Sequence, residues 1–418
     1  MAAVRLQWLA LAFAGAGCAA VSTLHAQDLT VEKALSRALE RSAVLQADGA
    51  AVSATRYQAE LDGLAPAMTI GMELENVAGT GDLSGTDGAE TTLRVGRVFE
   101  LGRKQAARQS IGAAQVALQL NAVERSRLNI AAQVSHRFID VLLKQARLEL
   151  AAQNIDLAEA SREAVAYRVA RSRSPLTDLH LADLAVMRAE LEREDAGHEL
   201  ASARVALSVL WGEQHPDFLR VAGRLLELPS IEAFDSLVDR LPRSAGQQAF
   251  ALEAQHIDAQ ERLAASSRKP DVHTTLGVRR LESIDDEALV LSFSLPLGTG
   301  TRSALAIDRQ RAEREGLYAR RTAAWLDSYQ ILFGQYQELQ HARHQVETLR
   351  DRMIPLADKT LAATQAGYEE ARFSFLQVAQ ARAGLLDLHR DEIDAAARYH
   401  RLLAEIELAT ALSGDLTP

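Results

Sequence analysis

His341 and His344 come nearest, in this chain, to residues placed for chemistry. Three apart on a helix they share a face, and two imidazoles on one face can hold a metal ion between them. A stable site needs a third ligand, and none lies close in sequence. The other histidines are scattered and no H-E-x-x-H occurs. Two solvated or packed histidines and no metal site are therefore expected. A second candidate is Gly96-x5-Gly102-Arg103-Lys104, which has the outline of a phosphate loop between a strand and a helix. It carries one residue too many, and no Ser or Thr follows the lysine to meet a magnesium ion. Phe99 and Leu101 inside it suit packing better than phosphate. Residues 79–88, GTGDLSGTDG, have the composition of a calcium-binding repeat, but a single copy reads as a solvated hairpin tip. Neither G-x-S-x-G nor another triad signature is present. No catalytic residue, no cofactor and no enzymatic activity are expected.

The totals narrow the field further. The chain has 418 residues and a net charge of −10, which argues against nucleic acid as a partner. Its one cysteine, Cys18, falls in an apolar N-terminal stretch behind Arg5. Residues 1–26 read as a signal peptide, with Leu24-His25-Ala26 before the cleavage point. The rival reading is a lipid anchor on Cys18, although Gly15-Ala16-Gly17 lacks the leucine expected there. Under the first reading the mature chain has no disulfide and no thiolate. No later stretch holds 18 consecutive apolar residues, so an exported chain is either soluble or crosses a membrane as strands.

The elements that position everything else turn on residues 90–104, ETTLRVGRVFELGRK. Thr91, Thr92, Leu93, Val95, Val98 and Phe99 give a strand at 90–99. After Leu101-Gly102 the composition changes, and 103–170 contains no proline. It reads as a helix of roughly 100 Å. Its seam is expected at Val116, Leu120, Val123, Ile130, Val134, Val141, Leu148, Ala152 and Ile155, in coiled-coil steps. Before it lie one or two helices in 29–64, N-capped by Thr30, then a strand at 68–75 and a loop at 76–89. After it the chain turns at 172–175, and a helix at 176–211 returns antiparallel. Helices are expected at 230–241 and 244–267, then strands at 271–282 and 288–297. A second long helix follows from 302 to about 366, kinked at Pro355, then a break at 369–374 and a return helix at 375–412.

This is one plan used twice. Residues 27–212 form a first repeat, with hairpin 68–99 and helix pair 103–211. Residues 213–418 form a second, with hairpin 271–297 and helix pair 302–412. In the last strand Leu289, Leu291, Phe293, Leu295 and Leu297 alternate with Val290, Ser292 and Ser294, and the apolar set is expected to face lipid. Four strands cannot close a barrel, and an open edge in lipid leaves backbone groups unpaired. A membrane reading therefore requires several chains pooling their hairpins.

Segments throughout the mature chain carry a family resemblance: ELEN at 73–76, ETTLRVGRVFELGRKQAAR at 90–108, the ending at 205–212, KPDVHTTLGVRR at 269–280, FSLPL at 293–297 and GYEEARFSFLQVAQAR at 367–382. The chain resembles the TolC-like outer-membrane efflux proteins, and its hairpins look most like the CzcC subgroup serving heavy-metal pumps. The resemblance implies a mainly α fold with a β-barrel part, as a homotrimer. A twelve-stranded barrel would sit in the outer membrane of a Gram-negative cell, above a periplasmic α-helical barrel. It implies a periplasmic adaptor (a membrane fusion protein) and an inner-membrane pump of the resistance-nodulation-division type as partners, with no nucleic acid. The tips of the helices would form the pore gate. The family usually has a glycine at each helical turn. Here Ala371, beside Arg372, stands at one such place, and Ser172-Arg173 stand near the other, before Pro175. Acidic residues usual on the pore side are replaced by Gln377 and Gln380, and Tyr368 matches an aromatic that helps hold the gate closed.

The function expected is a passive outer-membrane channel of a tripartite efflux system for heavy-metal cations. Drug or protein export through a channel of the same kind is one rival. A periplasmic coiled-coil tether without a pore is the other.

Overall fold

The computed structural model describes residues 28–411. The expected signal peptide at 1–26, Cys18 and the last residue of the expected return helix, Leu412, lie outside them. The elements in order are α1 (Val31–Arg41), α2 (Ala43–Asp62), β1 (Thr69–Glu75), β2 (Glu90–Phe99), α3 (Lys104–Ala170), α4 (Leu176–Ser208), α5 (Phe234–Val238), α6 (Ala245–Ser266), β3 (Val272–Leu281), β4 (Asp286–Ser294), α7 (Thr299–Thr348), α8 (Ile354–Glu369) and α9 (Phe375–Ala409). The molecule is mostly helix, with one antiparallel sheet in the order β1-β2-β3-β4. The two hairpins meet side by side through β2 and β3, which leaves β1 and β4 as edges. Among the described residues no helix is long and apolar enough to cross a membrane.

Thr30 caps α1 as expected, its hydroxyl accepting the Lys33 backbone N–H. At 67 residues α3 spans about 100 Å. It lies against α2 and α6 towards the sheet and against α1, α4 and α9 below. That change of partners moves the buried side around the helix. Ile130, Val134 and Val141 of the expected seam are buried, but Leu120 and Ala152 are exposed, while Ala107, Phe138, Ala151, Ala158 and Val165 are buried instead. A single heptad stripe assumes one partner along the whole length, and α3 has several.

Three further expectations are corrected. The helix expected at 230–241 is only α5, followed by a short turn at Leu241–Arg243 that contains Pro242. The strand expected at 288–297 is β4, ending at Ser294, because Pro296 has no N–H to continue a ladder. The kink at Pro355 is a π-helical turn at Leu349–Met353, between α7 and α8.

Sheet and helices join through charged contacts. Lys104 is buried, and its Nζ lies 2.6 Å from Asp271 Oδ1, which also accepts the Leu101 N–H at 3.3 Å. The lysine of the phosphate-loop outline is thus already engaged by a carboxylate. Gly102 has φ 83°, and a Cβ there would sit 2.6 Å from the Ser266 carbonyl oxygen, so only glycine fits this reversal from strand to helix. At half height, the segment between α4 and α6 wraps across the helices. Leu29 bridges Val221, Gln145 both donates to and accepts from the Val221 backbone, and the Tyr399 hydroxyl donates to the Pro229 carbonyl.

Candidate functional site: membrane face and helical tip

The sheet register sorts side chains onto two faces, since directly paired residues point the same way and successive rows alternate. One face carries Leu74 with Thr91, Arg280 and Glu287 at its outer end; then Met72, Leu93, Val278 and Leu289; then Ile70, Val95, Leu276 and Leu291; then Phe293 with Thr274 and Arg97; and last Phe99 and Val272. Nothing among the described residues covers it: Ile70 is 79% exposed and Leu289 72%. A contiguous apolar surface on four strands is far beyond what scattered surface leucines produce. Leu289, Leu291 and Phe293 lie in β4 on this face. Leu295 falls one residue past β4, keeping the same parity. Near the helical end of this face, the Arg97 guanidinium lies 5.0 Å from the centroid of the Phe99 ring.

The other face is polar. Arg279 reaches Glu90 at 2.7 Å, Glu75 at 2.9 Å and Thr92 Oγ1 at 3.0 Å, tying three strands together. Arg94 meets Glu73 at 2.6 Å. Below these lie Thr69, Gly96, Thr275 and Ser292. Such part-exposed pairs add little stability individually, but one guanidinium shared by three strands holds their register.

At the far end, α3 and α8 stop in the same way. Ser172 and Ala371 are left-handed, with φ 56° and 61°. The Arg173 N–H returns to the Arg168 carbonyl at 2.9 Å, and the Arg372 N–H to the Gly367 carbonyl at 2.7 Å. These are Schellman closures, which favour glycine at the left-handed position. An L-residue there costs about 1–2 kcal/mol. Ala371→Gly is therefore expected to stabilise the tip by about 1 kcal/mol after the added freedom of the unfolded chain is counted. Hydrogen exchange of the amides at 371–373 measures this; unchanged or faster exchange would show that the turn stores no such strain.

Tyr368 is buried, and its hydroxyl shares a 3.0 Å hydrogen bond with Ser174 Oγ across the two turns. Arg168 lies over the Tyr368 ring at 4.5 Å, donates to the Glu369 carbonyl at 2.9 Å and to Ser174 Oγ at 3.2 Å. One arginine from α3 thus holds the end of α8. Of the expected gate residues, Tyr368 is the one joined to the opposite turn. Arg173 and Arg372 are exposed, and Arg372 pairs with Glu370. Pro175 is the N-cap of α4. Gln377 closes a capping box with Ser374, its Oε1 accepting the Ser374 N–H at 2.9 Å. Gln380 is exposed one turn on.

Arg168, Ser174 and Gly367 escaped the sequence reading. Gly367 had a signal, a glycine inside a helix beside the tyrosine. A Cβ there would lie 2.2 Å from the Phe373 ring, so the glycine lets that ring fold under the turn. Arg168 and Ser174 had none, because their pairing needs both turns at once. His341 and His344 are exposed, and among the described residues no group of three potential ligands gathers to hold a metal.

No family model matches the chain. The cobalt-zinc-cadmium resistance protein CzcC of Cupriavidus metallidurans is 28% identical over 320 residues, 75% of this chain and 74% of that protein. Among solved structures, a membrane protein from Pseudomonas aeruginosa superimposes with a TM-score of 0.77 at 16% identity, over 93% of this chain and 91% of that one. CusC gives 0.74 at 15% identity, over 91% and 92%. The outer-membrane protein VceC of Vibrio cholerae gives 0.73 at 17% identity, over 92% and 96%. At these identities the structural likeness establishes a shared fold.

Proposed function

We propose that this chain, which has the fold of the TolC-like outer-membrane channels and a sequence similar to CzcC, is one of three subunits of a passive efflux conduit for heavy-metal cations. The observation that carries the reading is the sheet: one exposed apolar face, one polar face, and two unpaired edges. An open edge is not tolerated in lipid, whereas three copies pairing β4 of each with β1 of the next close a barrel with no edge. A strand of ten residues spans about 33 Å and, tilted by about 40°, about 25 Å, the height of a membrane barrel's apolar band. The polar face then lines the lumen, and the helix pairs continue it as a periplasmic tube. Residues 1–26 serve as the export signal, and 27–212 and 213–418 as the two repeats. Cargo passes without chemistry being done on it. A periplasmic adaptor and an inner-membrane pump of the resistance-nodulation-division type complete the path from the tip inwards.

The likeness to a cobalt-zinc-cadmium resistance protein supports the cation cargo. The test has two arms. Purified protein in a planar bilayer is expected to conduct; a monomer that neither conducts nor sediments with the outer membrane would leave only the tether. Deleting the gene is expected to lower tolerance to cobalt, zinc, cadmium or copper. Sensitivity to drugs with metal tolerance intact would assign the channel to drug export.

A further inference from the structure

Over the second half of α7 the buried seam falls at Leu332, Leu339 and Val346, each seven residues from the last, with Ala342 and Leu349 on its flank, and that of α8 falls at Ile354, Leu361 and Tyr368, again in sevens. Between Val346 and Ile354 the step is eight. The extra residue is taken up in the π-helical turn Leu349–Met353, whose wider hydrogen-bonding pattern accommodates an insertion. Pro355 follows inside the first turn of α8, and its missing N–H removes a bond that would stiffen the junction. By contrast α3, longer still, runs without a break.

Arg350 lies within the π-turn. Its Nε donates to Glu392 Oε1 of α9 at 2.9 Å and its Nη2 to the Leu226 carbonyl of the crossing segment at 2.7 Å. Glu392 is buried, and contacts from His389 and then Arg350 hold its carboxyl below the ordinary range. Above the turn, Leu332 and Leu339 pack into one cluster with Leu237 and Leu241 of the crossing segment. Below it, α8 runs along α9 and its far end is held to α3 by Tyr368–Ser174 and Arg168.

We propose that Leu349–Met353 is a hinge, that the Arg350 contacts with Glu392 and Leu226 fix its setting, and that α8 turns about it as an arm latched at the tip. Magnitudes permit this. The 16 residues of α8 make an arm of about 24 Å. Helices ordinarily curve with radii of about 60–100 Å, so α9 can follow through about 15–20° over that length without breaking. A rotation of about 10° displaces the end of such an arm by about 4 Å, enough to part a hydrogen-bonded pair. The crossing segment, through the Leu226 carbonyl, is then coupled to the tip. The hinge is a property of a single chain; only its consequence for a pore rests on the channel reading above.

The test uses the purified assembly, labelled chains diluted with unlabelled ones. Residues 27–418 contain no cysteine, so Glu163→Cys on α3 and Ala363→Cys on α8 place a single pair of spin labels at exposed positions. Pulsed EPR is expected to give one narrow distance. Arg350→Gln should broaden it and displace its maximum by about 4 Å, the excursion of the arm. Deleting Arg352, which restores the seven-residue step, should abolish that broadening when combined with Arg350→Gln. If the deletion does not fold, as judged by helicity and assembly, Pro355→Ala replaces it with the same expectation. A wild-type distribution in Arg350→Gln, or broadening that survives both suppressors, overturns the hinge. Expected distances in a protein that does not conduct would instead sink the channel and leave the hinge standing.

Discussion

Arginine at Leu291 is expected to deplete the proposed channel from the outer-membrane fraction. Leu291 shares its row with Ile70, Val95 and Leu276, so all four strands present an apolar side chain there. It is the third of five rows on this face, two rows from Arg280 and Glu287 on one side and one row from Arg97 on the other. A charged side chain at the midplane of a barrel costs about 2–4 kcal/mol. With three copies in one barrel the total is about 6–12 kcal/mol, comparable to the whole stability of an ordinary domain. The neighbouring residue supplies the control. Ser292 points to the opposite face, in a row with Thr69, Gly96 and Thr275, where an arginine meets water and small side chains. Ser292→Arg should therefore remain in the outer membrane as an oligomer, while Leu291→Arg should be depleted at least tenfold from that fraction. Equal behaviour of the two variants, retained or lost, would mean that the faces are not divided between lipid and lumen.

That contrast was legible in the sequence because strand alternation is a local signal. Leu289, Ser292 and Phe293 declare their faces whatever lies beside them. The start of α3 was legible for a similar reason: Gly102 ends one pattern and a proline-free, alanine-rich stretch begins another. Where the reading slipped, two or more elements were involved. The spacing places Leu120 in a seam it does not join, since α3 changes neighbours along its length. Asn121, beside it, is buried and donates to the Ala245 carbonyl at 3.2 Å, which no period in the sequence announces.

The tip divides in the same way. The resemblance puts Ala371 where a glycine is usual and Ser172-Arg173 near the other such place, and in the structure Ala371 and Ser172 are left-handed. What holds the two turns together was not recognised, because Arg168 reaches across to Glu369 and Tyr368 from a different part of the chain. The eight-residue step between Val346 and Ile354 sits in plain view in the numbering. It becomes readable only when the buried side of α7 and α8 is known, since Met353 within the step and Leu356 just past it are exposed while Leu349 is buried.

Aspartate at Gln377 and Gln380 together should turn the tip into a cation filter. The two positions are one turn apart on α9 and both exposed, so three chains would contribute six carboxylates in two rings. Gln377 also caps its helix, and the substitution has to preserve that. Aspartate at this position keeps an oxygen near the Ser374 N–H, and its negative charge is favourable in a first helical turn by about 0.3–1 kcal/mol. The helix start should survive, leaving electrostatics as the main change. Rings of charged side chains set ion selectivity in wide pores by concentrating counter-ions. Screening gives the signature: at 0.1 M salt charges act over about 10 Å, at 1 M over about 3 Å. The reversal potential of the double variant in a potassium chloride gradient should move towards the cation side, and the shift should shrink at high salt. The single variants should show part of the shift each. A reversal potential unmoved at low salt, in protein that still conducts, would place both side chains away from the ion path and return the gate assignment to Tyr368, Ser174 and Arg168 alone.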